Sequence, residues 1–299
     1  MSSSTRASAS EPSAGAARQG AARIRHRAWR RFRRHPAALA GGGIVLFFVM
    51  VALLAPLLAP HDPLASNWLA VRQAPTAAHP FGTDDLGRDV LSRVIFGARS
   101  SLQAGVISVL IAVLAGVPLG LLAGDFGGAL DMVISRCTEA LLACPFLILA
   151  IAFAAFLGPS LENAMIAIGI SATPIFIRLA RGQALAVKTE DYVEGARAVG
   201  ASHPRILARY ILPNALPPIL VQATLTLATA IIAEASLAFL GLGQRPPAPS
   251  WGSMLDVARQ FLTQAPWMAL WPGVAIFLVV FGFNLLGDGL RDALDPRET

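Results

Sequence analysis

The stretch GQALAVKT, Gly182 to Thr189, has the spacing of a phosphate-binding loop, Gly-x4-Gly-Lys-Thr, and holds the chain's only lysine. Such a loop cradles phosphates with backbone N–H groups that glycine leaves accessible. Val187 stands where the second glycine belongs, and its branched side chain obstructs the cradle. No strand pattern precedes it, so ATP hydrolysis in this chain lacks support. The five histidines (His26, His35, His61, His79 and His203) form no HExxH pair, and no Gly-x-Ser-x-Gly elbow is present. Neither metal nor nucleophile catalysis is indicated, and no catalytic or metal-ligating residue is assigned. Cys137 and Cys144 lie seven apart on one expected helix, a rise of roughly 10 Å. That is too far for a disulfide, and both read as core residues.

Two acids fall in apolar surroundings. Glu139 follows Arg136 by three residues, which suits a local ion pair. Glu234 lies about 20 residues into an expected membrane span. A carboxylate at mid-bilayer costs about 2.5–3.5 kcal/mol on insertion scales, so it must face protein or water. Either Glu234, with Ser236, lines a translocation path, or it bonds a neighbouring helix and holds a gate.

The stretch from Gly82 to Asp89 combines acids and a base at a Thr/Asp-capped helix start. It lacks EF-hand spacing and reads as a solvated amphipathic helix. Pro246 to Ser250 form a stiff loop, and Trp251, Trp267 and Trp271 suit a membrane interface. Ser100, Ala104, Ser108, Ala112, Gly116, Gly120, Gly124 and Gly128 recur every fourth residue, a small-residue ridge that lets helix backbones approach closely. The quartet Gly116, Gly120, Gly124 and Gly128 is expected to pack within the bundle or against a partner.

The segment DYVEGARAVGASHPRILARYILP, Asp191 to Pro213, carries its own boundary signals. Asp191 with Glu194 is a capping-box variant. Tyr192, Val193, Ala196 and Val199 place an apolar stripe on one side, and Gly200 stops the helix. Ser202 can cap a second helix with Pro204 in its first turn, and Arg205 and Arg209 then share a face. The pattern suits a short helix docked in a protein cleft and fixed by a Gly corner to a span.

These pieces need a membrane scaffold. The chain has 299 residues, 55% hydrophobic and only 14% charged. Charge-free runs cover Ala37–Pro60, Ser101–Gly124, Ala140–Leu161, Asn163–Ile177, Tyr210–Ala233 and Gln260–Gly287. A hydrocarbon core about 30 Å thick needs roughly 20 apolar residues. Five runs reach that length, and the fourth does so by including Leu161, Glu162 and the stem of Arg178. We therefore expect an all-α membrane protein with spans near 37–58, 101–124, 138–157, 161–181, 213–238 and 266–287. Period-2 alternation is absent, which excludes a barrel from the expectation. With the N-terminus inside, the cytoplasmic segments carry 18 Lys and Arg against 6 outside. That bias places both termini in the cytoplasm, and attraction to anionic lipid accounts for the basic balance without nucleic acid. Residues 1–35 read as a disordered basic cytoplasmic tail ahead of a permease domain, 36–299. Arg30-Arg31-Phe32 matches a twin-arginine export pattern, but the apolar run that follows is too long for a signal peptide.

Glu194, Gly195, Ala196 and Gly200, followed by Tyr210, Leu212 and Pro213, resemble the EAA motif of binding-protein-dependent ABC importer permeases. Gly195 replaces the motif's first Ala, and Tyr210 its Ile. His79–Leu102, Glu234–Leu255 and Phe283–Arg297 resemble the C-type permease subunit of dipeptide, oligopeptide and nickel importers. The resemblance runs from about His35 to Arg297 and implies a type I importer permease fold in the bacterial inner membrane. It implies that Asp191, Glu194, Gly195, Ala196, Gly200, Leu212 and Pro213, within the segment 189–212 and the start of the next span, couple to ATPases. Implied partners are a homologous B-type permease, two ATPase subunits carrying ATP and Mg, and an extracytoplasmic substrate-binding protein. Asp84, Arg88, Asp89 and Trp251 would then help dock an external partner. Dipeptides or oligopeptides are the expected cargo, with nickel or another small solute as the alternative. A stand-alone secondary transporter or channel would instead show inverted repeats and broken spans, and no convincing internal repeat is visible.

Overall fold

The structure, a computed structural model, describes residues 35–294. The expectations for the basic tail and its arginine pair lie outside the described residues. Among those described no strand forms, and the only bridge pairs Thr83 with Asp89. The helices in order are α1 (Pro36–Leu53), α2 (Ala55–Leu58), α3 (Val90–Phe126), α4 (Gly128–Leu142), α5 (Phe146–Leu157), α6 (Leu161–Val187), α7 (Asp191–Ala198), α8 (His203–Ile206), α9 (Leu212–Phe239), α10 (Trp251–Ala258) and α11 (Trp267–Leu294). Five helical stretches are long and apolar enough to cross a membrane, or six if α4 and α5 count together.

That pair is where the structure departs from the expected third span. Instead of one helix near 138–157, α4 and α5 meet at 93° across Ala143, Cys144 and Pro145. Pro145 removes a backbone donor and disfavours helical geometry at the residue before it. Cys137 and Cys144 are free and exposed on this bent pair, so they are not the core residues the apolar setting suggested. The fourth span resolves the other way. Ser160 accepts a hydrogen bond from Asn163 N (3.0 Å), and α6 continues for 27 residues, past Arg178 and Arg181.

α3 is 37 residues long, about 55 Å at 1.5 Å per residue. It lies against α6 along most of its length, which the small residues make possible. A Cβ added to Gly116 would meet Phe176 Cβ at 2.7 Å, and one at Gly124 would meet Ala184 Cβ at 2.5 Å. At Gly120 it would run into Ile177 O. Gly128 does not join this ridge. It has φ +58 beside Gly127 at φ +66, with no atom within 4 Å of its would-be Cβ, and it serves the turn between α3 and α4. A second close approach joins α1 to α11, where Gly41 faces the Leu286 backbone and Gly282 faces Ile44.

The largest buried cluster gathers Val109, Ile168, Phe176, Ile219 and Leu237 from α3, α6 and α9. Val193, Ile206 and Ile211 belong to it too, so the short α7 and α8 rest on the bundle. A second cluster, with Phe48, Leu102, Ile231, Trp251 and Val279, joins α1, α3, α9, α10 and α11. Inside a bilayer these clusters hold the helices together by close van der Waals packing rather than by escape from water. The helices' outer faces stay apolar and exposed, as at Phe47, Leu114, Phe156 and Phe277, which suits a lipid solvent.

Candidate functional site

The corner at Gly200 is well defined. α7 ends with Gly200 at φ +81, its N–H donating to Arg197 O (2.9 Å), while Ala201 N donates to Ala196 O (3.0 Å). This pair of bonds is a Schellman motif, and glycine adopts its left-handed residue without Cβ strain. The start of α7 differs from the expectation. Glu190, not Asp191, is the N-cap residue, and no side chain caps the helix. Asp191 and Glu194 instead sit in the first turn, where they favour the helix dipole. The apolar stripe is also narrower than expected. Val193 and Ala196 are buried, whereas Tyr192 and Val199 are exposed. α7 therefore presents Asp191, Tyr192, Glu194, Gly195 and Val199 outward.

After the corner, α8, a π-turn at Leu207–Ile211 and α9 run on as one helical stretch, His203–Phe239. Pro213 lacks the donor a regular α-helix would use there, and a wider turn accommodates that loss. Asn214 Nδ2 donates to Tyr210 O (2.6 Å) and to Tyr192 Oη (3.3 Å), joining α9 back to α7. Ser202 precedes α8 but makes no side-chain cap bond, and Pro204 occupies its first turn.

Sequence reading missed the residue at the centre of this arrangement. Asp125, near the C-terminus of α3, has a fully buried side chain. Its Oδ1 accepts from Arg197 Nη2 (3.2 Å), and its Oδ2 lies 2.7 Å from His203 Nδ1. Arg197 is on α7 and His203 on α8, so one carboxylate grips both sides of the Gly200 corner. Phe126 stacks on the His203 ring with centroids 4.8 Å apart. Lys188 Nζ donates to Gly124 O (2.8 Å), satisfying a carbonyl at the end of α3. The would-be phosphate loop is thus the last turns of α6 plus a cation already engaged by α3. A lone acid one residue after the small-residue ridge was the available signal for Asp125.

Glu234 sits at a helix junction. It is fully buried, and Ser101 Oγ on α3 donates to its Oε2 (3.1 Å). Ser101 Oγ also accepts from Trp251 N (3.3 Å), so α3, α9 and the start of α10 share one polar link. Glu234 Oε1 is buried with no partner among the described residues. Ser236 turns back on its own helix, donating to Ile232 O (2.8 Å). Of the two alternatives for Glu234, this geometry supports the helix-joining role. Glu139 and Arg136 form the expected pair, 2.9 Å apart and exposed.

At the other end of α3 the expected solvated helix is a buried ionic cap. Asp84 is 5% exposed, Arg88 6%, Asp89 2% and Trp251 0%, so these four side chains are not a ready docking face. Asp84 Oδ2 accepts from Arg88 Nε (2.6 Å) and lies 3.4 Å from Arg93 Nε. Its Oδ1 accepts from the backbone of Leu86 and Arg88, both at 2.9 Å. Arg93 Nη1 reaches back to Pro63 O (2.8 Å) and across to Pro247 O (3.4 Å). Asp89 caps α3 by accepting from Ser92 N (2.8 Å). Trp251 Nε1 donates to Val94 O (3.0 Å), and Trp267 Nε1 to Thr83 O (3.1 Å). Trp271 stacks on Phe81, centroids 3.8 Å apart. The tryptophans expected at a lipid interface pin this cap.

Comparison with known proteins places this geometry. Residues 116–299 match the family model for the binding-protein-dependent transport system inner membrane component. Residues 25–75 match the N-terminal TM domain of oligopeptide transport permease C. The chain is 48% identical over 270 residues to a dipeptide transport system permease protein from Alkalihalophilus pseudofirmus, covering 90% of this chain and 89% of that one. It is 46% identical over 272 residues to a glutathione transport system permease protein from Pectobacterium atrosepticum, covering 90% of each. It shares its fold with the MetNI methionine ABC transporter in inward facing conformations, at a TM-score of 0.57 and 22% identity over 68% of this chain and 96% of that one. The chain is a multi-pass inner-membrane protein, and it belongs to the family of inner-membrane components of binding-protein-dependent transport systems.

Proposed function

We propose that the chain is the C-type permease subunit of an ATP-driven importer for short peptides, with dipeptides as its first substrate class and small tripeptides of the glutathione kind as the second. The observation that carries the reading is the α7 corner. A short helix with an exposed acidic turn is locked by a Schellman glycine to a span and tied by Asp125 to the longest helix of the bundle. This is a lever with an exposed face, suited to a push from a separate subunit.

Separate ATPase subunits, carrying ATP and Mg, grip the face formed by Asp191, Glu194, Gly195 and neighbouring residues. Both termini and α7 face the cytoplasm, in keeping with the bias of 18 basic residues to 6. A homologous B-type permease completes the pore, and an extracytoplasmic binding protein delivers cargo. When the ATPases close, α7 is displaced. The Gly200 corner and Leu212–Pro213 pass the displacement into α9, and Asp125 passes it into α3. The bundle then rocks between inward- and outward-facing arrangements as rigid bodies.

The test uses the assembled transporter in nanodiscs. Glu194→Lys and Gly200→Val should abolish the stimulation of ATPase activity by loaded binding protein and reduce uptake by more than tenfold, with all subunits still co-purifying. Unchanged stimulation and uptake in both variants would remove α7 from the coupling path. Mass spectrometry of ligand retained by the cognate binding protein tests the substrate class, and recovery of a non-peptide solute would overturn it.

A further inference from the structure

We propose that His61, His79 and Asp89 form a binding site for a divalent first-row transition metal of the Zn2+ class, at the end of the bundle opposite α7. The residues come from one loop-rich stretch between α2 and α3, and no spacing motif announces them. The fold brings one potential ligand atom from each within 4.8 Å of the others. His79 Nδ1 lies 2.9 Å from Asp89 Oδ1, and His61 Nδ1 lies 3.7 Å from Asp89 Oδ2. The two imidazole rings sit side by side, centroids 4.7 Å apart.

A hydrogen bond accounts for His79 against Asp89 but not for the second ring. At 3.7 Å, His61 is beyond hydrogen-bonding distance of the same carboxylate. Ligands around an ion with bonds of about 2.0–2.2 Å stand roughly 3–3.5 Å from one another; the His79–Asp89 pair already has about that spacing, and His61 would close in to complete the set. Two imidazoles and one carboxylate suit Zn2+, Ni2+ or Cu2+, whereas Ca2+ and Mg2+ prefer all-oxygen sets.

The surroundings hold the ligands in place as a metal site requires. Asp89 Oδ2 accepts from Ser92 N (2.8 Å) and Ser92 Oγ (2.7 Å), which orients the carboxylate. Ser92 Oγ also accepts from His61 N (3.1 Å), fixing the backbone of the second ligand. His79 N donates to Thr76 Oγ1 (3.1 Å). The Asp89 side chain is 1% exposed and that of His61 42%, so the site has a buried floor and an open mouth. A bound ion joins the segment after α2, the loop before α3 and the cap of α3 itself, and so braces one end of the first two spans.

The experiment takes the assembled transporter in nanodiscs, strips it with EDTA, and adds Zn2+ as the probe, with Ca2+ in parallel. Zinc retained after desalting and the melting temperature are both read. Wild type should retain about one more Zn2+ per copy of this chain than His61→Ala does, since loss of one imidazole should weaken binding at least tenfold. Zn2+, and not Ca2+, should raise the wild-type melting temperature. His61 is largely exposed, so His61→Ala should melt with wild type in EDTA, and His79→Gln provides a second ligand deletion. Equal zinc retention in wild type and both variants, no zinc-dependent stabilisation of wild type, or preference for Ca2+ would each overturn the assignment.

Discussion

The two ends of α3 solve the same problem, holding a carboxylate inside a membrane protein, in opposite ways. At its N-terminal end Asp84 lies among two buried arginines and two backbone donors. At its C-terminal end Asp125 is buried, but the partners it holds are not, with the Arg197 side chain 39% exposed and that of His203 53%. A buried ion pair that loses one partner leaves a charge that water cannot reach, and breaking it costs about 3–5 kcal/mol. A half-exposed pair can open into solvent at far smaller cost. One end is built to stay shut, the other to let go and re-form. That contrast fits the proposed roles of a fixed cap and a moving lever.

The comparison can be broken most severely at the cap. Asp84→Ala leaves Arg93 without its carboxylate and Arg88 with only the longer contact to Asp85 (3.3 Å), and should lower unfolding stability by about 3–5 kcal/mol, read as a loss of folded protein in membranes and an early thermal transition. A stable, fully assembled Asp84→Ala protein would show that the cap is not the rigid end. Asp125→Ala should cost at most about 1–2 kcal/mol, because Arg197 and His203 can turn to water. It should nevertheless uncouple ATPase stimulation from uptake, and a stability loss as large as that of Asp84→Ala would erase the distinction. Glu234→Gln preserves an acceptor for Ser101, so assembly should stay intact while uptake falls. Wild-type uptake in that variant would confine Glu234 to packing. Smallest of all, Arg136→Ala removes a pair in which both side chains are more than half exposed. It should change stability by less than about 1 kcal/mol and leave transport unchanged.

The bundle was legible because lipid imposes long charge-free runs, and these map onto the helices whatever else the chain does. The Gly200 corner was legible too, since a stop glycine after a short amphipathic helix has few other meanings. What escaped were features that depend on which residues meet. Asp125 lies 72 positions from Arg197 and 78 from His203, and no local pattern links it to them. Asp84, Arg88 and Asp89 looked like surface residues because charges usually are; Pro63, Pro247 and Trp267, arriving from elsewhere, show that the fold closes over them. Gly128 continued a four-residue rhythm in sequence yet fell past the end of α3, where a rhythm no longer implies a shared face. The break before Pro145 was visible as a proline within an apolar run, but prolines also occur inside α3, α6, α9 and α11 without ending them.

α3 also sets a scale for movement. A strut of about 55 Å, pivoted at one extremity by about 5°, sweeps the other through about 5 Å, close to the pitch of a helical turn. An anchored cap and a yielding grip on the same strut therefore amount to a fulcrum and a handle, and modest angular play about the fulcrum is enough to carry the side chains at the handle sideways across the bundle by about a helical turn's height.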